Sequence, residues 1–197
     1  MRQGVACLGR PVALHLVRHG PPVIEPHRAA CLWQLDARAG SQELQRLGDV
    51  LARRAPSGVW HSSDEPKAVA TARSLTTGTV QIWPALREAG RSDWFETAEQ
   101  LRIAVLDAFD HPARSARPGW EPLHTTRRRI SSAVAELLLD QRGDDVILVG
   151  HGTAWTLLVS ELTGGDPDLP AWTKLRAPDL CTLDVSTRTV SHGWGAW

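Results

Sequence analysis

The sequence predicts an α/β fold of three layers, an α/β/α sandwich in which helices cover both faces of a mostly parallel central sheet. Short apolar runs alternate along the chain with longer segments of helical periodicity, which is the pattern of parallel strands joined by crossover helices. The chain has 197 residues, which is enough for one sizeable core and too short for two ordinary domains. Since no repeat or linker divides it, we expect a single domain over residues 1–197.

The first half of the chain predicts three strands and two helices. An apolar run predicts a strand at 12–17, which a Gly-Pro-Pro sequence at 20–22 ends in a loop. Four aliphatic residues on one face predict a helix at 41–54. A Ser or Asp cap at position 63 or 64, with Pro66 in the first turn, predicts a helix at 67–75. The two shorter strands are predicted at 58–61 and 79–82.

The second half predicts the longest helix and the clearest strand. Apolar spacing favours a helix at 124–142, and a continuous apolar run favours a buried strand at 145–149. A further helix is predicted at 154–162. After a Gly- and Pro-rich connection, two short runs at 180–185 and 189–191 predict a closing hairpin.

Residues 84–122 are less regular, and we interpret them as a lid or insertion over the sheet around a helix at 98–109. The segment contains Trp94, Phe95 and Trp120. The whole chain has nine Trp, two Phe and no Tyr, so Trp is the main aromatic residue for the core, and a structural role is favoured for each. Any of them that lined a pocket would favour a substrate with an apolar or ring-shaped leaving group.

Charge and composition exclude several classes of function. The 22 Lys and Arg balance the 22 Asp and Glu, and the pI is about 7.1, which argues against a nucleic-acid partner. No run is apolar enough for a membrane span or signal peptide, so we expect a soluble, cytoplasmic protein. Cys7, Cys31 and Cys181 are widely spaced and predict reduced thiols rather than disulfides or a metal site.

Four polar segments follow predicted strands directly. They are Arg-His-Gly at 18–20, Ser-Ser-Asp at 62–64, the loop that carries Glu88, and Gly-His-Gly at 150–152. Ligands bind at the carboxyl ends of the strands in open parallel sheets. We therefore expect the fold to bring the four segments together.

The segments at 16–20, 63–72, 86–90 and 149–153 resemble the histidine phosphatase superfamily, also called the phosphoglycerate mutase-like family. They occur in the family's order and span nearly the whole chain. The resemblance implies a phosphoglycerate mutase-like fold. It also implies phosphoryl transfer that uses neither a metal ion nor a cofactor.

The resemblance also implies roles for individual residues. His19 would attack phosphorus and form a phosphohistidine. Arg18, protonated His151 and the Gly152 amide would donate to the phosphoryl oxygens, where negative charge builds up. Glu88 would be the general acid that protonates the leaving group. Three neighbouring carboxylates remain alternative proton donors: Asp93, Glu96 and Glu99.

The chain departs from the family pattern at two places. Lys67 stands where the family has a second pocket arginine, so it would bind phosphate as a point charge without bidentate geometry. Pro21 and Pro22 follow Gly20 where the family often has Glu-Thr, and Glu25 stands at the position of an Asn. A carboxylate there would repel an anionic sugar acid.

The preferred function is a phosphatase that hydrolyses a small-molecule phosphomonoester. One alternative is a phosphoglycerate mutase-type phosphotransferase, although the chain has little room for the insertions that exclude water in such enzymes. The other is a non-catalytic, phosphate-binding regulatory protein. An unpaired sheet edge could support a homodimer. His15 is interpreted as structural, and the remaining histidines as structural or solvated: His27, His61, His111, His124 and His192.

Overall fold

Six strands form one central sheet in this computed structural model, which describes residues 12–92, 95, 97–139 and 143–197. The strands are β1 (Ala13–Arg18), β2 (Val59–Ser62), β3 (Val80–Ile82), β4 (Val146–Gly150), β5 (Asp179–Asp184) and β6 (Thr189–His192). Their order in the sheet is β3-β2-β4-β1-β5-β6. The first four strands are parallel, whereas β5 pairs antiparallel with β1 and β6 pairs antiparallel with β5. The predicted mostly parallel sheet and the closing hairpin are confirmed.

Six α-helices and two short 3-10 turns connect these strands. The helices are α1 (Ser41–Arg54), α2 (Pro66–Leu75), α3 (Ala98–Asp110), α4 (Leu123–Leu139), α5 (Gly152–Thr163) and α6 (Leu169–Thr173), and the 3-10 turns are Ala30–Leu32 and Pro84–Leu86. The sequence did not predict α6, because it lies within the Gly- and Pro-rich connection. Asp168 nevertheless caps α6 by accepting a hydrogen bond of 2.9 Å from the Ala171 amide.

Alternate residues of β4 point to opposite faces of the sheet and define the three layers. Val146 and Leu148 pack with apolar residues of α4 and α5, and Ile147 and Val149 pack with apolar residues of α1 and α2. All four strand residues are fully buried, as expected for a parallel strand that is covered on both faces. The predicted three-layer architecture is therefore confirmed.

The start of α2 differs from the prediction. The N-cap is Glu65, not Ser63 or Asp64, and its side chain makes no capping hydrogen bond. Pro66 disfavours the helical conformation at the preceding residue, and Glu65 accordingly has an extended backbone (φ −69°, ψ 131°). The helix therefore begins at Pro66, and the Glu65 carboxylate is directed elsewhere.

Residues 84–122 contribute to a small apolar cluster that also contains side chains of α4 and α5. Trp120 is buried there with Leu123 and Leu157, and the Phe95 ring lies edge-on to Trp120 at a centroid distance of 5.8 Å. The structural role expected for these two aromatic residues is confirmed. Thr97 and Gln100 form a capping box at the start of α3.

Some predictions concern residues outside the described part of the chain, namely Cys7, Trp94 and positions 140–142 of the predicted long helix. Cys31 is an exposed free thiol and Cys181 is a buried one, and burial raises the pKa of Cys181 to about 12. Among the described residues, no helix combines the length and the hydropathy that crossing a membrane requires.

Candidate active site

The polar segments predicted to converge meet at the carboxyl edge of the parallel strands. The ladder of backbone hydrogen bonds continues past the strand ends, from the His19 amide to the Gly150 carbonyl (2.9 Å) and from the Ser63 amide to the Val149 carbonyl (3.0 Å). The imidazoles of His19 and His151, far apart in the sequence, have ring centroids 5.3 Å apart. Because β1 and β4 are neighbouring parallel strands, the two histidines that follow them lie side by side.

His19 is held as a neutral imidazole with one nitrogen available. Its Nδ1 lies 2.7 Å from the Gly20 carbonyl oxygen, an acceptor, so Nδ1 carries the proton and Nε2 keeps its lone pair. Burial lowers the pKa of His19 well below its ordinary value, and His151, Lys67 and Arg18 lower it further. This tautomer and protonation state are those that a nucleophilic imidazole requires.

His151 lies at the start of α5, and its side chain contacts residues that directly precede α2. Its Nε2 lies 2.7 Å from the Ser63 hydroxyl and 3.4 Å from Oε1 of Glu65. Burial, together with the nearby Lys67 ammonium, lowers the pKa of His151 to about 3. His151 is therefore neutral near pH 7 unless an added negative charge favours its protonation.

The glycine before His151 is required by close packing. A Cβ on Gly150 would lie 2.5 Å from Cζ2 of Trp155, far inside van der Waals contact. Trp155 is fully buried and donates from its indole nitrogen to the Val17 carbonyl (2.8 Å), so the ring has little freedom to move. The position therefore admits only glycine without rearrangement.

Arg18 is oriented by the loop that precedes β5. One terminal nitrogen donates to the carbonyls of Leu175 (2.7 Å) and Arg176 (3.0 Å). A Cβ on Gly152 would lie 3.0 Å from Cδ1 of Leu175 and at ordinary contact distance, 3.5 Å, from Arg18 Nε, so a side chain there would crowd Leu175 and only touch the guanidinium. Burial lowers the pKa of Arg18, but a guanidinium is so strongly basic that the group stays charged.

Lys67 is buried at the site, with its ammonium engaged by protein oxygens. Nζ donates to Oε2 of Glu65 at 2.5 Å and to the Ala30 carbonyl at 2.8 Å. Its charge lowers the pKa of both His19 and His151, so it acts on both imidazoles. Lys67 therefore lies where the sequence predicts a cation, but in an ion pair that the sequence analysis did not predict.

Glu88 lies at the N-terminus of α5, with both carboxylate oxygens hydrogen-bonded. Oε1 accepts from the amides of Ala89 and Ala154, each at 2.9 Å, and Oε2 accepts from the Thr153 amide at 3.1 Å. Burial alone would raise the pKa of Glu88, but the Arg91 cation, the neighbouring His151 and a hydrogen bond from the Ala89 amide lower it below its ordinary value. The carboxylate is therefore ionised at neutral pH in this arrangement.

The backbone that carries Glu88 is fixed by Arg129 of α4. The Arg129 guanidinium donates to the carbonyls of Ala85 (2.7 Å), Arg87 (3.0 Å) and Glu88 (3.2 Å). It also forms an ion pair with Glu121 at 2.8 Å. One side chain thus holds the loop after β3 at several points.

Sequence reasoning missed two charged residues of the site. The Glu65 carboxylate is almost fully buried, accepts hydrogen bonds from Lys67 and the Glu88 amide, and lies close to His151. The Arg91 guanidinium stacks on the Trp120 ring at 5.3 Å and donates to the Thr153 hydroxyl at 2.8 Å. The available signals were an acidic residue two positions before Lys67 and an arginine three positions after Glu88.

Three buried nitrogens at the site have no hydrogen-bond partner within the described part of the chain. They are Arg18 Nε, Arg91 Nε and His151 Nδ1. Buried donors are normally satisfied, and these three belong to residues within electrostatic reach of one another. These unpartnered donors, together with the neutral imidazole of His19, make the site a candidate for binding an anion.

Other candidate residues lie outside this group. Glu25 pairs with Arg28 (2.6 Å), and Glu99 pairs with Arg102 on the exposed side of α3. The alternative donors Asp93 and Glu96 fall outside the described residues. His15 is buried in the sheet with Nδ1 3.0 Å from the Thr182 hydroxyl, in agreement with its predicted structural role. Among the residues described, no group of three or more His, Cys, Asp or Glu side chains is placed to hold a metal ion.

Comparison with known proteins places this arrangement in a family. No curated protein matches the chain. A mycobacterial glucosyl-3-phosphoglycerate phosphatase has a similar solved structure, with a TM-score of 0.70 and 24% identity over 87% of this chain and 92% of that one. A phosphoserine phosphatase from Entamoeba histolytica gives a TM-score of 0.74 and 15% identity over 94% and 98% of the two chains.

A third solved structure, described as a putative alpha-ribazole-5'-P phosphatase from Escherichia coli, gives a TM-score of 0.67 and 20% identity. It covers 92% of this chain, which covers 94% of it in turn. These TM-scores establish a common fold. The sequence profile described as "Histidine phosphatase superfamily (branch 1)" matches residues 14–192, which is most of the chain. The chain belongs to the histidine phosphatase superfamily.

Proposed function

We propose that this protein is a metal-independent phosphatase that hydrolyses a small phosphomonoester through a phosphohistidine on His19. The observation that carries this proposal is the convergence of a neutral imidazole with unpartnered cationic donors. His19 keeps a lone pair on Nε2 and lies beside His151 and within electrostatic reach of Arg18, while Arg91 acts on His151; Arg18, Arg91 and His151 each have a buried nitrogen without a partner among the described residues. Such preorganised donors stabilise the charge that develops on transferring phosphoryl oxygens.

The reaction has two displacements at phosphorus. In the first, Nε2 of His19 attacks phosphorus, the bond from phosphorus to the leaving oxygen breaks, and Glu88 donates a proton to that oxygen. In the second, Glu88 accepts a proton from water while the water oxygen attacks phosphorus. The bond between phosphorus and nitrogen then breaks, which releases inorganic phosphate and restores neutral His19.

Substrate charge sets the protonation states that this cycle needs. The phosphoryl group brings negative charge beside His151 and Glu88, and an added negative charge raises the pKa of both. His151 then becomes cationic and can donate from Nδ1 to a phosphoryl oxygen, while Nε2 donates to Ser63. Glu88, ionised without substrate, becomes protonated and able to act as the general acid.

The structural relatives support a small phosphorylated molecule as the substrate class. Their descriptions name a phosphorylated sugar acid, phosphoserine and a ribazole phosphate. The group that all three substrates share is the phosphomonoester. We therefore propose that the substrate of this chain is a phosphomonoester. A screen of phosphorylated compounds would identify the leaving group.

A non-catalytic phosphate-binding protein is the second candidate function. It is favoured by the ion pair between Glu65 and Lys67, which neutralises one cation of the site, and by the three amides that hold Glu88 ionised. A protein of this kind would bind phosphate without forming a covalent intermediate. Detection of that intermediate therefore separates the two candidates.

The test is to incubate the protein with p-nitrophenyl phosphate, quench it in alkali, and search for a phosphorylated histidine by mass spectrometry. We expect acid-labile phosphate on His19 and release of inorganic phosphate, and neither in His19→Ala. The variant His192→Ala, changed at an exposed position of β6, is the matched control and should be labelled normally. Phosphate binding without a labelled histidine or product would favour the non-catalytic candidate, and transfer to a second substrate would favour a mutase.

A further inference from the structure

We propose that Glu65 is a resident anion of the phosphoryl site, meaning a protein carboxylate that competes with bound phosphate for Lys67 and thereby weakens retention of the phosphate product. This inference rests on the proposed function and adds a residue that tunes affinity. It predicts that removing a buried carboxylate will strengthen ligand binding, whereas damage to a site usually weakens binding.

The contacts of Glu65 are all directed into the site. Although it is the N-cap of α2, its side chain makes no capping hydrogen bond. Oε2 accepts from Lys67 at 2.5 Å. Oε1 accepts from the Glu88 amide at 3.0 Å and lies 3.4 Å from His151 Nε2. With 4% of its surface exposed, the carboxylate is shielded from water by the groups on which a phosphate would depend.

The pairing with Glu65 limits what Lys67 can offer an anion. An ammonium has three donors, and here one goes to Glu65 and one to the Ala30 carbonyl. A phosphoryl oxygen that binds Lys67 must share it with a carboxylate of the same charge. At such distances like charges repel strongly in a site shielded from water. Part of the attraction of Lys67 for phosphate is therefore offset within the protein.

The total charge around the site leads to the same conclusion. His19 and His151 are neutral, with pKa values lowered by burial and nearby cations. The charged side chains that face them are the cations Arg18, Lys67 and Arg91 and the carboxylates Glu65 and Glu88. The buried Asp179 also acts on Arg18, so three positive charges stand against three negative charges, and removal of one carboxylate changes the balance substantially.

The adjacent residue supplies a matched control. The Asp64 carboxylate forms an ion pair with the exposed guanidinium of Arg87 instead of entering the site. Asp64→Asn removes one negative charge from the same loop, as Glu65→Gln does. Only Glu65→Gln removes charge from the immediate surroundings of Lys67. A difference between the two variants therefore reports the local effect and not the net charge of the protein.

The experiment measures the affinity of inorganic phosphate by isothermal titration calorimetry at constant ionic strength, for the wild type, Glu65→Gln and Asp64→Asn. Gln carries no charge and has a single acceptor oxygen, which can serve the Glu88 amide or Lys67 but not both as the two oxygens of Glu65 do. We expect Glu65→Gln to bind phosphate at least about tenfold more tightly, and Asp64→Asn to stay within about twofold of the wild type. Glu65→Leu provides a second variant without the charge, and its affinity should change in the same direction.

Each outcome decides the matter. Equal or weaker phosphate binding by Glu65→Gln and Glu65→Leu, with measurable binding by the wild type, overturns the role of Glu65 and leaves the proposed function intact. An equal gain in Asp64→Asn also overturns it, because the effect would then be general. Phosphate binding by none of the proteins overturns the proposed function together with this inference.

Discussion

At the scale of single residues, Glu88 is the group whose chemistry depends most on its surroundings. Three amides and Arg91 favour its carboxylate form, whereas general acid catalysis needs the protonated form. The helix N-terminus that holds Glu88 in position also opposes its protonation. Catalysis is therefore expected to depend on how much proton donation the leaving group needs.

We predict that Glu88→Gln slows phosphorylation of His19 by alkyl phosphates by about 10²- to 10⁴-fold. Aryl phosphates with acidic phenols should lose much less, because their leaving oxygen needs no proton. Single-turnover labelling of His19 with both substrate types measures this. Glu99→Gln, at an exposed position of α3, is the control. Equal losses on both substrates would show that Glu88 is not the acid.

Glu88 and Glu65 also show why sequence reasoning predicted one residue of the site and not the other. Glu88 follows a strand within a recognisable motif, so its position at the sheet edge could be inferred. Glu65 directly precedes Pro66 at a helix start, where polar residues are common as caps. Its actual role depends on contacts with Lys67 and with a loop from another strand, and neither contact leaves a local pattern in the sequence.

At the scale of secondary-structure elements, hydrogen bonds from α4 to the loop after β3 position Glu88, the proposed acid. The guanidinium of Arg129, on α4, donates hydrogen bonds to three backbone carbonyls of that loop, those of Ala85, Arg87 and Glu88. A planar guanidinium can satisfy several acceptors at once, whereas an ammonium donates from a single point. The position of Glu88 therefore depends on a side chain that touches no reacting atom.

We predict that Arg129→Lys lowers the turnover number about tenfold and the free energy of unfolding by about 1 kcal/mol, because partly buried carbonyls of the loop lose their donors. Steady-state kinetics and urea denaturation measure the two effects. Arg128→Lys changes the neighbouring, exposed position of the same helix and should alter neither quantity. Unchanged turnover in Arg129→Lys would contradict the positioning role.

The alternation of strands and helices could be predicted because each buried strand and each amphipathic helix has its own periodicity. The bounds of α1 and the hairpin of β5 and β6 agree with the prediction to within about one residue. Helix α6 was missed because its single turn is stabilised by the Asp168 cap within a sequence rich in helix breakers. Short elements of this kind have no periodicity to detect.

At the scale of the whole molecule, two buried neutral histidines make folding sensitive to acid. The pKa of His151 is lowered to about 3, and that of His19 is also lowered well below its ordinary value of 6.5. Below pH 6.5 the unfolded chain binds protons at these positions while the folded chain does not. Their stabilising contribution is thus fully present above pH 6.5 and decreases as the pH falls.

We predict that His151 adds up to about 1.4 kcal/mol per pH unit to the loss of unfolding free energy between roughly pH 6 and pH 4, and that His19 adds to this loss as the pH falls below 6.5. Urea denaturation at a series of pH values measures the slope. His151→Asn should reduce the slope by that amount, whereas the exposed control His192→Asn should leave it unchanged. A slope that is the same in all three proteins would show that His151 does not remain neutral in the folded state.

The tight packing around Gly150 and Gly152 has a practical consequence for engineering. A Cβ on Gly150 would lie 2.5 Å from the buried indole of Trp155, and a Cβ on Gly152 would lie 3.0 Å from Cδ1 of Leu175, so the first position excludes a side chain and the second leaves little room for one. Libraries aimed at altered substrate preference should therefore spare both positions. They should diversify residues 21–35 instead, a segment that reaches the site through the Ala30 carbonyl and is largely open to solvent.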